Sequence, residues 1–251
     1  MRATLMVGAL LLWGGVQQVT AQDLAHRIAA SHADRVTFTF AAKPGVCGDG
    51  ENFNIRGIRQ SFSRRDEWSC REGPVRVTLD LNGHTVMRLR TTVGDATPTG
   101  AEELGEVLPD EASDWLLDLA EQGGGRASEE ALMPAVVARD VVVWPRLVAM
   151  AKRQELREET RKQAIFWLGQ EAADHALGPL DDLLTDDPDR EMRQAALFAL
   201  TQQHNDRSIE ILIRTARSHR DPETRRSAFF WLGQSGDPRG LQLFEEVLAG
   251  S

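Results

Sequence analysis

Two cysteines and six histidines are the side chains here best suited to metal binding or nucleophilic chemistry. The histidines, His26, His32, His84, His175, His204 and His219, nowhere fall at the His-x-x-x-His spacing that places two imidazoles on one helix face. Cys47 and Cys70 lack ligand-spaced neighbours, and a closed zinc site needs four donors. The stretch Gly45-Val46-Cys47-Gly48-Asp49-Gly50 is rich in glycine but lacks the Gly-Lys-Ser/Thr ending of a phosphate loop. Asp49, Glu51, Asn52 and Asn54 offer oxygen donors, though not at the spacing of a calcium-binding loop. No Gly-x-Ser-x-Gly elbow occurs. The sequence therefore points to no catalytic residue, no metal and no cofactor, and the chain is expected not to be an enzyme.

The front of the chain gives the cysteines a context. Arg2 precedes an apolar run from Ala3 to Val16, and Val19-Thr20-Ala21 supplies small residues at a cleavage position. That is the pattern of a secretory signal over residues 1–21, with a short membrane anchor as the competing reading. The mature chain is then expected in the periplasm or outside the cell, with no membrane span of its own. An even cysteine count in an exported chain reads as one disulfide, Cys47–Cys70, across a loop containing Asn52, Asn54, Arg64 and Arg65. The net charge of −9 opposes a general grip on nucleic acid. Charge is uneven: residues 35–90 are enriched in arginine, whereas 95–121 hold acidic side chains and no basic ones. Mutual neutralisation in the fold is the expectation.

Those residues need a scaffold, and the patterning gives two kinds. Arg35 to Ala41 alternates with β-branched and aromatic residues, as does Pro74 to Leu81, and both read as strands. Asn82-Gly83 predicts a hairpin turn, with a return strand from His84 to Val93 whose alternation is imperfect. A short helix is expected near Gln22 to Ser31. After Pro98 and Gly100 the period lengthens: Ala112, Trp115, Leu116, Leu119 and Ala120 form a helix face. Ser128 with Glu129 and Glu130 reads as a cap and acidic first turn, with Pro134 predicting a kink or later start. Trp144-Pro145 marks another boundary. The division is residues 22–100 as a small β-rich module, 101–152 as a helical connector and degenerate capping repeat, and 153–251 as repeats.

The repeats carry the strongest signal. Arg161-Lys-Gln-Ala164-Ile-Phe166-Trp167-Leu168-Gly169-Gln170 returns 64 residues later as Arg225-Arg-Ser-Ala228-Phe-Phe230-Trp231-Leu232-Gly233-Gln234. Midway lies Arg193-Gln-Ala-Ala196-Leu-Phe198-Ala-Leu200-Thr-Gln202. Leu177, Leu180 and Leu184 keep step with Ile209, Leu212 and Ala216, then with Leu241, Phe244 and Leu248. A unit of this length is a helix hairpin whose apolar sides are covered by its neighbours. Ala164, Ala196 and Ala228 fall where helices approach closely. Gly169 and Gly233 are expected to end first helices in left-handed conformation, and Asp187-Pro188 and Asp221-Pro222 to start the next ones. Trp167 and Trp231 are expected in the core, and His175 and His204 in solvated turns.

Asp-Pro, a helix with Arg-x-x-Ala and Leu-Gly, then a Leu-rich helix, resembles the HEAT-like repeat, in particular the bacterial subtype named after phycobilisome lyases. The chain as a whole is similar to exported bacterial HEAT-repeat proteins with a small Cys-containing N-terminal module. The resemblance implies an α+β chain: a C-terminal α-solenoid of helix hairpins preceded by a small disulfide-tied antiparallel β module. It implies a scaffold binding an unidentified protein or peptide on a concave surface of the second helices, near Leu180, Arg214, Arg217 and Glu245. The competing function is an enzyme or chromophore-handling protein of the bilin-lyase type.

Overall fold

A computed structural model describes residues 23–51, 53–55, 70–94, 96–122, 125–171, 173–203 and 205–249. The expected signal segment 1–21, Asn52, Arg64, Arg65 and His204 lie outside them. Helix α1 (Asp23–Ala30) leads into strand β1 (Arg35–Phe40), followed by β2 (Val46–Gly48), β3 (Phe53–Ile55), β4 (Arg71–Glu72), β5 (Val75–Asn82), β6 (Thr85–Val93) and β7 (Glu102–Glu106). Four strands form one sheet in the order β6-β5-β1-β7, and β3-β2-β4 form a second, antiparallel one. Phe38 and Phe40 on β1 and Val75, Val77 and Leu79 on β5 are fully buried. Burial of each such side chain contributes roughly 1.5–3 kcal/mol.

The expected strands form, with three differences. The two-residue hairpin loop is Gly83-His84, because Asn82 pairs with Thr85, and only Gly83 takes a positive φ, 58°. The imperfect alternation of β6 has a cause: Asp80 faces Arg88 and Leu81 faces Val86, so Met87 is an extra residue in a bulge and stands exposed. Strand β7 comes from the acidic stretch and runs parallel to β1, so the larger sheet is mixed and extends past residue 100. Its sequence, Glu-Glu-Leu-Gly-Glu, carries no apolar alternation. It is held at the edge by backbone pairing and by Arg76, buried, which donates to both carboxylate oxygens of Glu103 at 2.9 and 2.7 Å. The acidic stretch is thus neutralised partly by the sheet and partly by the helices, where Asp118 and Glu121 meet Arg146 at 2.8 and 2.7 Å.

Cys47 on β2 and Cys70 beside β4 form the disulfide, with Cα atoms 5.1 Å apart. It ties the smaller sheet, in which Cys47 pairs with Glu72 and with Asn54.

Ten helices are described in all. After α1 come α2 (Pro109–Gln122), α3 (Arg126–Val136), α4 (Trp144–Lys152), α5 (Glu158–Glu171), α6 (Ala173–Asp186), α7 (Arg190–Gln202), α8 (Asp206–Ser218), α9 (Pro222–Ser235) and α10 (Pro238–Ala249). Helix α2 turns Leu116 and Ala120 inward and sets Trp115 edge-on against Phe38 of the sheet, 6.0 Å between ring centres. Glu111 in its first turn is buried and accepts the Leu24 N–H at 2.5 Å, fastening α1. Helix α3 starts at Arg126, and Ser128 donates back to the Gly125 carbonyl rather than capping. Pro134 neither delays its start nor ends it at once: α3 runs two residues further.

The remaining helices stack as two layers. First helices α3, α5, α7 and α9 contact one another in order, and second helices α4, α6, α8 and α10 form the other layer. Ala164, Ala196 and Ala228 are each fully buried, as are Leu168 and Leu200, with Leu232 nearly so. One continuous apolar core runs from Leu24 through the sheet and the repeats to Leu243. Backbone bonds reinforce the junction of sheet and helices: Lys43 N–H to the Val137 carbonyl and Arg139 N–H to the Ala41 carbonyl, both 2.9 Å.

Gly169 and Gly233 do not terminate helices. Both lie within α5 and α9 with helical backbone, and the left-handed residue after α9 is Gly236, φ 70°. Gly169 serves contact instead. A Cβ there would sit 2.8 Å from Ala199 Cβ and 3.1 Å from its Cα. This close approach of α5 to α7 explains why the middle copy carries Ala199 where the others have tryptophan.

Candidate functional site

The repeat arginines position everything that follows. Arg161 is buried; its guanidinium donates to the Ala151 carbonyl at 3.0 Å and to Asp187 Oδ2 at 2.6 Å. Asp187 therefore links units instead of capping α7, whose cap is Asp189, accepting from the Glu191 N–H. Arg193 repeats the arrangement one unit on, donating to the Asp187 and Pro188 carbonyls, to Thr224 Oγ1 and to Asp221. Asp221 caps α9 as expected. Its carboxyl is held well below the usual range, chiefly by the Thr224 hydroxyl, with burial opposing and the Thr224 and Glu223 amides and Arg193 assisting. Among the described residues, Arg225 bonds the His219 and Arg220 carbonyls. His219 fills the same junction: its Nδ1 accepts the Asp221 N–H, so Nε2 is the donor to the Leu184 carbonyl at 2.8 Å.

Held in this way, the first helices present one face to the sheet across a cavity of about 690 Å³. Helix α5 contributes Lys162, Gln163, Phe166 and Trp167; α7 contributes Glu191, Gln194, Ala195 and Phe198. Each set has the three- and four-residue spacing of a single helix face. Met133 and Glu130 of α3, Phe53 of β3, and Leu89, Arg90 and Thr91 of β6 complete the lining. The rings of Phe166 and Phe198 stack at 6.5 Å with an 11° interplanar angle, and Phe198 meets Trp231 at 5.4 Å. Phe230, the third copy of this position, is 57% exposed beside them. The aromatic row thus continues past the cavity.

The polar groups of this groove are unequally satisfied. Lys162 bridges to Glu158 at 2.5 Å, which is the main reason its pKa is raised, with Glu191 3.9 Å away. Glu130 accepts from Arg126 and from the Leu89 N–H. Two buried donors have no partner among the described residues: Trp167 Nε1 and Gln194 Nε2. A buried donor without an acceptor costs about 1–3 kcal/mol, and both of these residues line the same cavity.

Sequence reasoning placed the binding face on the second helices, and the structure places its candidate residues as follows. Leu180 is fully buried. Arg214 pairs with Asp181 and Arg217 with Glu246, so both arginines tie neighbouring second helices together. Glu245 is exposed on α10. None of the four lines the groove. Trp167 is core as expected, 2% exposed, whereas Trp231 is half-buried. His175 lies in α6 and stacks on Trp144 at 4.9 Å instead of occupying a solvated turn. The signal that marks the groove face was present as phenylalanine at the same position of all three copies, Phe166, Phe198 and Phe230. No group of three or more metal-ligating side chains occurs among the described residues. None of the described helices is long and apolar enough to cross a membrane.

A family model of HEAT repeats matches residues 177–251, from within α6 to the end of the chain. The chain therefore carries a HEAT-repeat region, and α5 with the rest of α6 extends the same geometry upstream of the match. No curated protein matches the chain.

Proposed function

We propose that this chain is an extracytoplasmic, non-catalytic interaction scaffold that holds a protein partner on the first-helix side of its repeats. The observation that carries the reading is the aromatic groove between β6 and helices α5 and α7, of which α7 lies in the region matched by HEAT repeats. Stacked helix pairs offer extended surfaces to peptides and folded partners. Export is supported by the signal-like residues 1–21 and agrees with the Cys47–Cys70 disulfide, since oxidising compartments preserve such bonds. The phycobilisome-lyase subtype and a bacterial source rest on sequence resemblance. A second reading has one observation in its favour: an aromatic cavity of about 690 Å³ also has the size of a small-molecule or chromophore site. Purification from the producing cell separates the two readings. A stoichiometric protein partner and a mature N-terminus near Gln22 support the scaffold. A coloured or small-molecule load supports the alternative, and a chain retaining Met1 in the cytoplasm refutes export.

A further inference from the structure

We infer that the groove takes an extended peptide segment, which adds main-chain hydrogen bonds to the β6 edge and lays an apolar side chain against Phe166 and Phe198. This rests on the scaffold reading and specifies what the scaffold holds.

The main-chain part follows from the ladder. β6 is the edge strand of its sheet. The Val93 carbonyl turns away from β5 to accept the Gly50 N–H at 3.0 Å, and the Leu89 N–H turns away to Glu130. Antiparallel pairing alternates inward and outward residues, so Thr91 between them also directs its N–H and C=O outward. The same alternation turns Val77, opposite Thr91, toward β1. The Leu89 N–H and the Val93 carbonyl are thus occupied on that edge, whereas Thr91 lines the groove with one outward donor and one outward acceptor. An extended peptide is the ligand that matches a free edge residue, because its own amide groups repeat at strand spacing.

The side-chain part follows from the opposite wall. Trp167 and Gln194 line the groove, and their Nε1 and Nε2 are buried donors without a partner among the described residues; the inference assigns peptide carbonyls as their acceptors. Phe166, Phe198 and Met133 give the same groove an apolar lining.

The test uses the full mature chain with its disulfide intact and a displayed library of random fifteen-residue peptides. The best binder is titrated by calorimetry and followed by the indole N–H resonance of Trp167. The inference expects binders with a central apolar residue, and a shift of the Trp167 resonance on binding. It expects affinity about tenfold weaker for Gln194→Leu and for Trp167→Phe, both checked for folding by circular dichroism. N-methylation of the single peptide amide opposite Thr91 is expected to weaken binding by a similar factor. Peptides that bind equally well to both variants, or whose every N-methylated form binds unchanged, overturn it. If a native protein partner binds both variants as it binds the wild type, the scaffold stands and the groove assignment falls. If biliverdin, used as a probe pigment, binds in the groove and no peptide does, both fall.

Discussion

Gly169 and Gly233 occupy the same position of two repeats, so one substitution made at both separates packing from helix propensity. Both are inside helices with helical backbone, where alanine is favoured over glycine by about 1 kcal/mol. Around Gly233 a new Cβ would meet only the Phe244 ring edge at 3.6 and 3.8 Å, ordinary contact distances. Gly233→Ala is therefore expected to stabilise by up to about 1 kcal/mol, or about 2–4 °C in Tm for a chain of this size. Around Gly169 the new Cβ would meet Ala199 at 2.8 Å from its Cβ, 3.1 Å from its Cα and 3.2 Å from its carbonyl oxygen. These atoms belong to the α7 backbone or are fixed to it, so relief requires α5 and α7 to separate. Overpacking of this kind costs about 1–3 kcal/mol, which cancels or exceeds the propensity gain. Gly169→Ala is expected to destabilise by up to about 2 kcal/mol. Thermal melts followed by circular dichroism under non-reducing conditions read the contrast directly. Equal rises in Tm for the two variants would refute the close contact of α5 and α7.

Arg161→Ala leaves Asp187 buried without its counter-charge and is expected to cost about 3–5 kcal/mol in denaturant unfolding. Arg225→Ala, which removes bonds to carbonyls alone, is expected to cost far less. Replacing Cys47 and Cys70 together by alanine is expected to lower stability by roughly 3 kcal/mol, the loop-closure value for a separation of 23 residues, measured by the same unfolding assay. Acid should weaken the repeats through Asp221 and Asp237. Both carboxyls are depressed in the fold, Asp237 to about 2, principally by its bond to Arg239. Their contribution is fully present above the unfolded value near 4 and is lost as pH falls toward 2 and below. Asp237→Asn is expected to flatten that part of the stability profile, and an unchanged acid profile would argue against the Arg239 pairing.

The repeat was legible because its period is carried by residues with a single environment. Ala164, Ala196 and Ala228 have to be small, and Arg161 and Arg193 have to reach the next junction. Strands β1, β5 and β6 were legible from alternation, and the disulfide from cysteine count. Strand β7 was hidden because its residues are recruited by backbone pairing and by Arg76, neither of which leaves an apolar pattern. The helical glycines misled for a related reason: glycine is demanded both by a left-handed turn and by a close helix contact, and only three-dimensional neighbours distinguish them. The groove was not legible because one of its walls comes from β6 and β3, far away in sequence. A search for the concave side within the repeats alone cannot see a surface closed by another module.

Site-specific photocrosslinking decides which face binds. p-Benzoylphenylalanine replaces Gln163 in the groove in one chain and Glu245 on the second-helix side in another, each expressed in the producing cell. The structure predicts a discrete protein adduct from position 163 and none from 245. Adducts from 245 with none from 163 would contradict it.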